Sequence, residues 1–496
     1  MSGMTLASRT FVPDDQALFA GLTGDFNPIH LDPIAARRTQ AGAVVVHGIH
    51  AILWALDKLV ELGGITKEIA SLKVQFTNFI YVGGQVDLKL LHRDEKSARA
   101  ELSVGKLTTA NLLVTFGTRS GVKDIEAPIA GPTMKAPNEP ASFTRLEEIE
   151  RLSGRMNIIE AADEIEKQFP HASSAIGRSR VTAIALLSRL VGMICPGLHS
   201  LFAGFAVELA GESRYRHQLT FQVSTTDERF RMVRISVSGA GIFGSIQAFM
   251  RWPPIEQASL SEIRAVVGPA EFSGSTALII GGSRGLGALT AKILAVGGSK
   301  VIVTYARGKA DAEDLTKEIQ SQTASDRCRS VRYDINEDAA DQLRDLGASL
   351  THLYYFATGS ITRQKQSPFD TSLFEEFVEM YVKGFYDCCR SIYENTSQAL
   401  TAFYPSSVFV ESNPPAMIEY SMAKMAGETL CTNLNRVVGN RVHIMVSRLP
   451  RLLTDQSATV LPLERADPLK VMLPLIRSVQ MSSEAHKMSG GAGGGV

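Results

Sequence analysis

The chain has 496 residues, 45% of them hydrophobic, with 51 Lys+Arg against 51 Asp+Glu. Such a length calls for about two to four domains, each with its own core, and zero net charge excludes a field that would draw the chain onto nucleic acid or an anionic membrane surface. Five cysteines (Cys195, Cys328, Cys388, Cys389 and Cys431) form no CxxC pair and no ligand spacing, which predicts a reduced, cytoplasmic protein without a metal centre.

The N-terminus, MSGMTLASRTFVPDD, lacks the basic-then-apolar layout of a secretory signal. Residues 23–33, TGDFNPIHLDP, then crowd Asp25, Asn27 and His30 around an Asn-Pro turn signal. A polar loop with a capping acid accounts for them; so does an acid and a base set side by side for proton transfer. Next comes VHGIHAILWALDKL from Val46, a helical apolar run headed by Gly48, whose backbone N–H at a helix start is a donor for a developing oxyanion. His47 and His50, beside an apolar helix, read as structural histidines. Strand-like stretches follow, SLKVQFTNFIYVGGQVDLKLL and KLTTANLLVTFGT.

Proline and small residues at 127–142 mark a linker, and residues 143–252 read as a distant copy of residues 1–126, with CPGLHSLFAGFAVEL matching the first helical run and Gly197 standing for Gly48. The uncharged stretch Leu190–Val207 holds Pro196, His199 and glycines, so a buried helix after a turn is expected rather than a membrane span. A Cys195–His199 nucleophilic pair is conceivable there, against the ordinary burial of free cysteine. A second linker is read at 253–271. From 272 to 480, β-branched runs such as TALIIGG and KVIVTYA alternate with helical patterns, which implies βαβ units. Residues 481–496 read as a flexible Gly-rich tail.

The GDxNPxH stretch, followed about seventeen residues later by a VHG turn into an apolar helix, resembles the MaoC-type (R)-specific enoyl-thioester hydratase/dehydratases over roughly residues 10–120. The resemblance implies a hot-dog fold in which Asp25 and His30 act on one water, Gly48 supplies an oxyanion donor and Asn27 orients the loop. The second copy has no acid–histidine pair. The fold class expected is therefore an α+β double hot dog, an antiparallel sheet around buried helices with chemistry in one half, followed by an α/β Rossmann-type doubly wound parallel sheet.

In the third block LIIGGSRGLGALTAKIL sets Gly281, Gly285 and Gly287 between a strand and a helix, where bare backbone admits a pyrophosphate. Ser283, Arg284 and Leu286 lie in the same turn. With DIN at Asp334, YSMAK at Tyr420 and Lys424, and Ser407 upstream, this block resembles the short-chain dehydrogenase/reductases over about residues 272–460. That likeness implies Tyr420 as proton donor, Lys424 as the cation beside it and Ser407 as the substrate-oxygen ligand, with Tyr420 and Lys424 also touching cofactor. Tyr305 stands where an acid would bond the NAD ribose, and Arg284 and Arg307 suit a 2′-phosphate, so NADPH (the NADP couple) is expected. Departures from the family pattern are Ile280, YYFATG at 354–359, Arg451 and, above all, Tyr381 in place of a helix asparagine.

The function expected is a bifunctional acyl-thioester enzyme, reducing a 3-ketoacyl thioester and interconverting (R)-3-hydroxyacyl and trans-2-enoyl thioesters. Its alternatives are a hydratase with a non-catalytic reductase-like domain, and an acyl- or nucleotide-binding protein without turnover. The substrate rides on coenzyme A or on an acyl carrier protein; Arg37 and Arg38 hint at the latter, though a solvated helix face explains them as well. Homo-oligomerisation through the reductase domain is expected from the same resemblance.

Overall fold

The computed structural model describes residues 4–119, 131–135, 137–158, 162–211, 217–324, 326–346, 349–359, 361, 368–396, 398–455, 457 and 465–490. The chain divides after Pro253 into two compact units.

In the first unit ten strands make one antiparallel sheet: β1 (Met4–Thr10), β2 (Ile69–Phe76), β3 (Gln85–Arg93), β4 (Ser97–Val104), β5 (Leu107–Phe116), β6 (Ser153–Asn157), β7 (Ser200–Leu209), β8 (Gln218–Asp227), β9 (Met232–Gly239) and β10 (Ile242–Met250). Their spatial order is β1-β3-β4-β5-β2-β7-β10-β9-β8-β6. Each half repeats one pattern, and the halves join where β2 pairs β7, with Leu72 opposite Val207 and Val74 opposite Phe205. The helix Gly48–Leu62 is apolar on almost every side and buries Ile49, Ile52, Leu53, Trp54, Leu56 and Leu59 in a core shared with the second half. Each such side chain contributes roughly 1.5–3 kcal/mol on burial. This is the double hot dog expected from the sequence.

The internal repeat, however, aligns differently. The counterpart of the helix Gly48–Leu62 is Arg178–Arg189, and residues 200–209 are strand β7, a partner of both β2 and β10. Gly197 therefore heads a strand and has no role equivalent to Gly48. A central strand buried along much of its length shows a run of apolar residues that periodicity alone cannot separate from a helix. Gly204 decides the matter locally: a Cβ there would lie 2.3 Å from the Val74 carbonyl oxygen of the neighbouring strand. Among the described residues no helix is long and apolar enough to cross a membrane. The segment expected as linker at 127–142 lies partly outside the described residues; its described part lies along the second half, Met134 N–H donating to Arg155 O and Ala141 N–H to Met193 O.

The second unit is a six-stranded parallel sheet in the order β13-β12-β11-β14-β15-β16. The strands are β11 (Thr276–Ile280), β12 (Lys300–Tyr305), β13 (Cys328–Arg332), β14 (His352–Tyr355), β15 (Leu400–Ser407) and β16 (Val442–Leu449). Alternate residues of β11 enter two cores, Ala277 and Ile279 on one face and Leu278 and Ile280 on the other. Helices Gly285–Val296, Lys309–Gln322 and Pro468–Gly490 cover the first face, and Gly384–Asn395 and Ile418–Val438 the second. The doubly wound expectation is met. The order reverses between β11 and β14, and such sheets bind ligands in the crevice at that point, beyond the strand C-termini.

Two boundaries differ from the sequence reading. Residues 253–271 contain a helix, Leu260–Arg264, with Ser259 and Glu262 as a capping box and Leu260 and Ile263 buried. The final helix runs to Gly490 through buried Met472, Ile476 and Val479, so the tail expected from 481 begins inside it; residues 491–496 lie outside the described residues.

Candidate active site

The stretch that opened the question lies between the helix Pro13–Thr23 and the short helix Pro28–Leu31. Pro28 starts that turn and Asn27 caps it, its Oδ1 accepting from Ile29 N–H at 3.2 Å. The Asn27 Nδ2 donates to the carbonyls of Gly192 (2.8 Å) and Gly197 (3.2 Å), tying the loop to the second half. Asp25 is only 1% exposed. Its Oδ2 accepts from the Ser188 hydroxyl at 2.6 Å and its Oδ1 from Asn27 N–H at 3.3 Å. His30 sets Nδ1 2.8 Å from the Val45 carbonyl, which makes that nitrogen the donor and leaves Nε2 as the acceptor of a neutral ring.

One carboxylate oxygen of Asp25 and one ring nitrogen each of His30 and His47 lie within 4.8 Å of one another. Burial raises the pKa of Asp25, opposed by the nearby His30; burial lowers that of His30, opposed by Asp25. Burial thus penalises the charged form of each group while their proximity favours it, which draws the proton affinities of acid and imidazole toward each other. His47 stacks on His30 at 3.9 Å between centroids, with Nε2 3.0 Å from the Asp25 carbonyl oxygen and Nδ1 3.0 Å from Gln16 Oε1. Gly48 follows immediately as the first residue of its helix, whose leading N–H groups have no intrahelical acceptor. A Cβ there would lie 2.9 Å from the Phe76 ring.

His50 belongs to the packing: it stacks on Phe19 at 4.7 Å, and burial pulls it down to about 3. The unfolded chain, with a histidine near 6.5, takes up this proton first, so stability is lost as pH falls from about 6.5 toward 3. Calorimetric melts across that window should show a shallower dependence of unfolding free energy on pH for His50→Phe than for the wild type.

In the second unit Gly281 and Gly285 adopt φ of +73° and +55°, and a Cβ on Gly287 would lie 2.3 Å from the Gly281 carbonyl oxygen. The turn is tied to β12 by Gly281 N–H donating to Thr304 Oγ1 at 3.0 Å. Space is open at Gly285, where nothing lies within 4 Å of a Cβ position. This bare cradle at a helix N-terminus fits a pyrophosphate. Ser283 is half-buried in it and Leu286 packs on the core below. Arg284 pairs with Asp455 (3.3 Å) and approaches Asp311 (4.0 Å), whereas Arg307 stands exposed just past half-buried Tyr305. The Asp334 carboxylate caps its own turn, accepting from Asn336 N–H and Nδ2.

Ser407 ends β15, and Tyr420 and Lys424 stand one turn apart on the helix Ile418–Val438. Burial pushes the Tyr420 phenol up to about 12, against a hydrogen bond from Ser407 that lowers it. Lys424 Nζ donates to Pro405 O at 2.7 Å and lies 4.0 Å from the Tyr381 ring centroid; burial pulls it down to about 7.

A family model described as MaoC like domain matches residues 3–112, and one described as short chain dehydrogenase matches residues 275–461. The chain joins a MaoC-like domain to a short-chain dehydrogenase domain. It is 36% identical over 75 residues to the peroxisomal hydratase-dehydrogenase-epimerase of Saccharomyces cerevisiae, covering 15% of this chain and 8% of that protein. It is also 29% identical over 134 residues to fatty acid synthase subunit beta of Aspergillus oryzae, covering 23% of this chain and 7% of that one. The chain thus spans under a tenth of the length of either relative. A solved dehydrogenase/reductase from Sinorhizobium meliloti 1021 aligns with 44% of this chain and 91% of its own, at 21% identity and a TM-score of 0.37.

Within the short-chain dehydrogenase domain two of the departures noted in the sequence touch each other. Tyr381, in the π-helical turn Glu379–Lys383, places its hydroxyl 2.7 Å from Thr358 Oγ1 in the YYFATG loop, and its ring meets that of Tyr420 edge-on at 5.5 Å. In the first unit the residues missed by sequence reasoning are Gln16, Ser188 and Gly192. Only Gly192 carried a signal, a lone glycine in an apolar helical run; a Cβ there would lie 2.3 Å from Asp25 Oδ1. Arg37 and Arg38 are half-buried rather than a solvated face.

Burial pushes the Cys195 thiol up to about 12 and pulls His199 down to about 4, so neither group holds the charge that a thiolate–imidazolium pair requires. All five cysteines are free and buried. An aromatic disulfide reagent at mild alkaline pH should label none of them in the folded protein and all of them after denaturation.

Proposed function

We propose that the chain is a bifunctional enzyme of acyl-thioester metabolism: the MaoC-like unit interconverts (R)-3-hydroxyacyl and trans-2-enoyl thioesters, and the second unit reduces a 3-ketoacyl thioester with NADPH. The observation that carries this reading is the buried Asp25 carboxylate within 4.8 Å of the His30 ring, on a loop next to the helix tip at Gly48.

In hydration the Asp25–His30 pair takes a proton from water as its oxygen bonds to the β-carbon, and returns one to the α-carbon; the Gly48 N–H faces the thioester oxygen as it gains charge. Dehydration runs the same steps backward. In the second unit Ser407 holds the ketone oxygen and Tyr420, protonated at neutral pH, donates its proton to it. Gly281, Gly285 and Gly287 would hold the pyrophosphate and the exposed Arg307 the 2′-phosphate, with Arg284 engaged by its two acids. When bound, the nicotinamide supplies the hydride.

The reading is tested by mixing the full chain with 3-ketoacyl thioesters of graded length, on coenzyme A and on acyl carrier protein, plus NADPH. Cofactor consumption followed by appearance of the enoyl thioester is expected. Tyr381 in place of the family asparagine, with burial pulling Lys424 down to about 7, favours a second reading in which the first unit alone turns over. Hydration without cofactor consumption would select it, and inertness in both assays would leave a binding protein.

A further inference from the structure

We infer that Ser188, in the half that lacks an acid–histidine pair, is a positioning residue for the hydration site in the other half. The inference rests on the hydratase reading of Asp25 and His30. Ser188 is 4% exposed and lies near the end of the helix Arg178–Arg189; its hydroxyl donates to Asp25 Oδ2 across 163 residues of sequence at 2.6 Å. That length is typical of a hydroxyl donating to a carboxylate, where the bond is about twice as strong as a neutral one.

The surroundings are built for the contact. Two residues past Ser188 the helix widens into a π-turn, Leu190–Ile194, closed by Cys195 N–H donating to Leu190 O at 2.7 Å. This places Gly192, four residues after Ser188, against the other carboxylate oxygen, with no room for a side chain. The Gly192 carbonyl, pointing to the same loop, accepts from Asn27 Nδ2. One segment of the second half thus supplies a hydroxyl to the first oxygen of Asp25, a bare Cα to the second, and an anchor to the residue that shapes the loop. Single-turn π-insertions occur mostly where such local re-aiming is needed.

The donated bond fixes which lone pairs of Asp25 remain for water and His30, and it favours the ionised form against burial. Full-length wild type, Ser188→Ala and Ser188→Thr, with aspartate Cγ isotopically labelled and the Asp25 resonance assigned by its loss in Asp25→Asn, should be titrated by NMR. In Ser188→Ala the Asp25 midpoint should move up by about one pH unit, with the acid limb of the hydration pH–rate profile moving with it. The kcat should fall about tenfold with KM within about twofold, and Ser188→Thr should restore all three. An Asp25 titration unmoved in Ser188→Ala overturns the inference. A wild type that hydrates no enoyl thioester overturns the hydratase reading instead, while the titration still decides whether Ser188 governs Asp25.

Discussion

Asp25→Asn is expected to lower kcat for hydration of a trans-2-enoyl thioester by about 10²–10⁴, the range for loss of a general acid–base group. Asparagine keeps the shape of the side chain and can still accept from the Ser188 hydroxyl, so loop and fold should persist. What it loses is the capacity to take and return a proton, at a site where burial has already brought acid and base toward equal proton affinity. NADPH binding, seated on the second unit, should be unchanged in a fluorescence titration. Hydration at the wild-type rate, followed by decay of the enoyl absorbance, would remove Asp25 from the mechanism.

Tyr420→Phe should abolish NADPH consumption with a 3-ketoacyl thioester, again by about 10²–10⁴, while hydration proceeds. The phenol at about 12 is protonated throughout the neutral range, which suits a donor to an oxygen that becomes an alkoxide. On the proposed reading the nearby cation is Lys424, its Nζ 5.8 Å from the Tyr420 ring centroid, and burial pulls that amine down to about 7. The sign follows: the wild-type reduction rate should fall above about pH 7, whereas a lysine at its ordinary value near 10.5 would keep the rate flat to far higher pH. If Tyr420→Phe consumes NADPH as fast as wild type, another group supplies the proton.

What was legible in the sequence was local. GDFNPIH brings an acid, an amide and an imidazole together within six residues, and a Tyr420–Lys424 spacing of one helical turn sets both on one face. The glycine turn was legible too, because positive φ and close backbone approach leave few other residues possible. Contacts across long sequence separations were not. Nothing near Ser188 announces a carboxylate partner 163 residues away. Strand β7 reads as a helix because its exposed Ala206 sits between buried Phe205 and Val207, so the alternation of burial leaves no alternation of polarity there, and the Ser259–Glu262 cap is hidden within a proline-flanked stretch. Tyr381 was visible as a departure, but its hydroxyl contact with Thr358 and its ring beside Lys424 required the fold.

The pairing of β2 with β7 has a physical corollary. Two hot-dog halves held as separate molecules would part on dilution, whereas a peptide tether makes their meeting concentration-independent. Tethering also lifts the demand that both be alike: with identical subunits every contact at a two-fold seam is duplicated, so a change that helps one pocket is imposed on the other. Here each half is free to differ, one carrying the Asp25 and His30 loop and the other bracing it through Ser188 and Gly192.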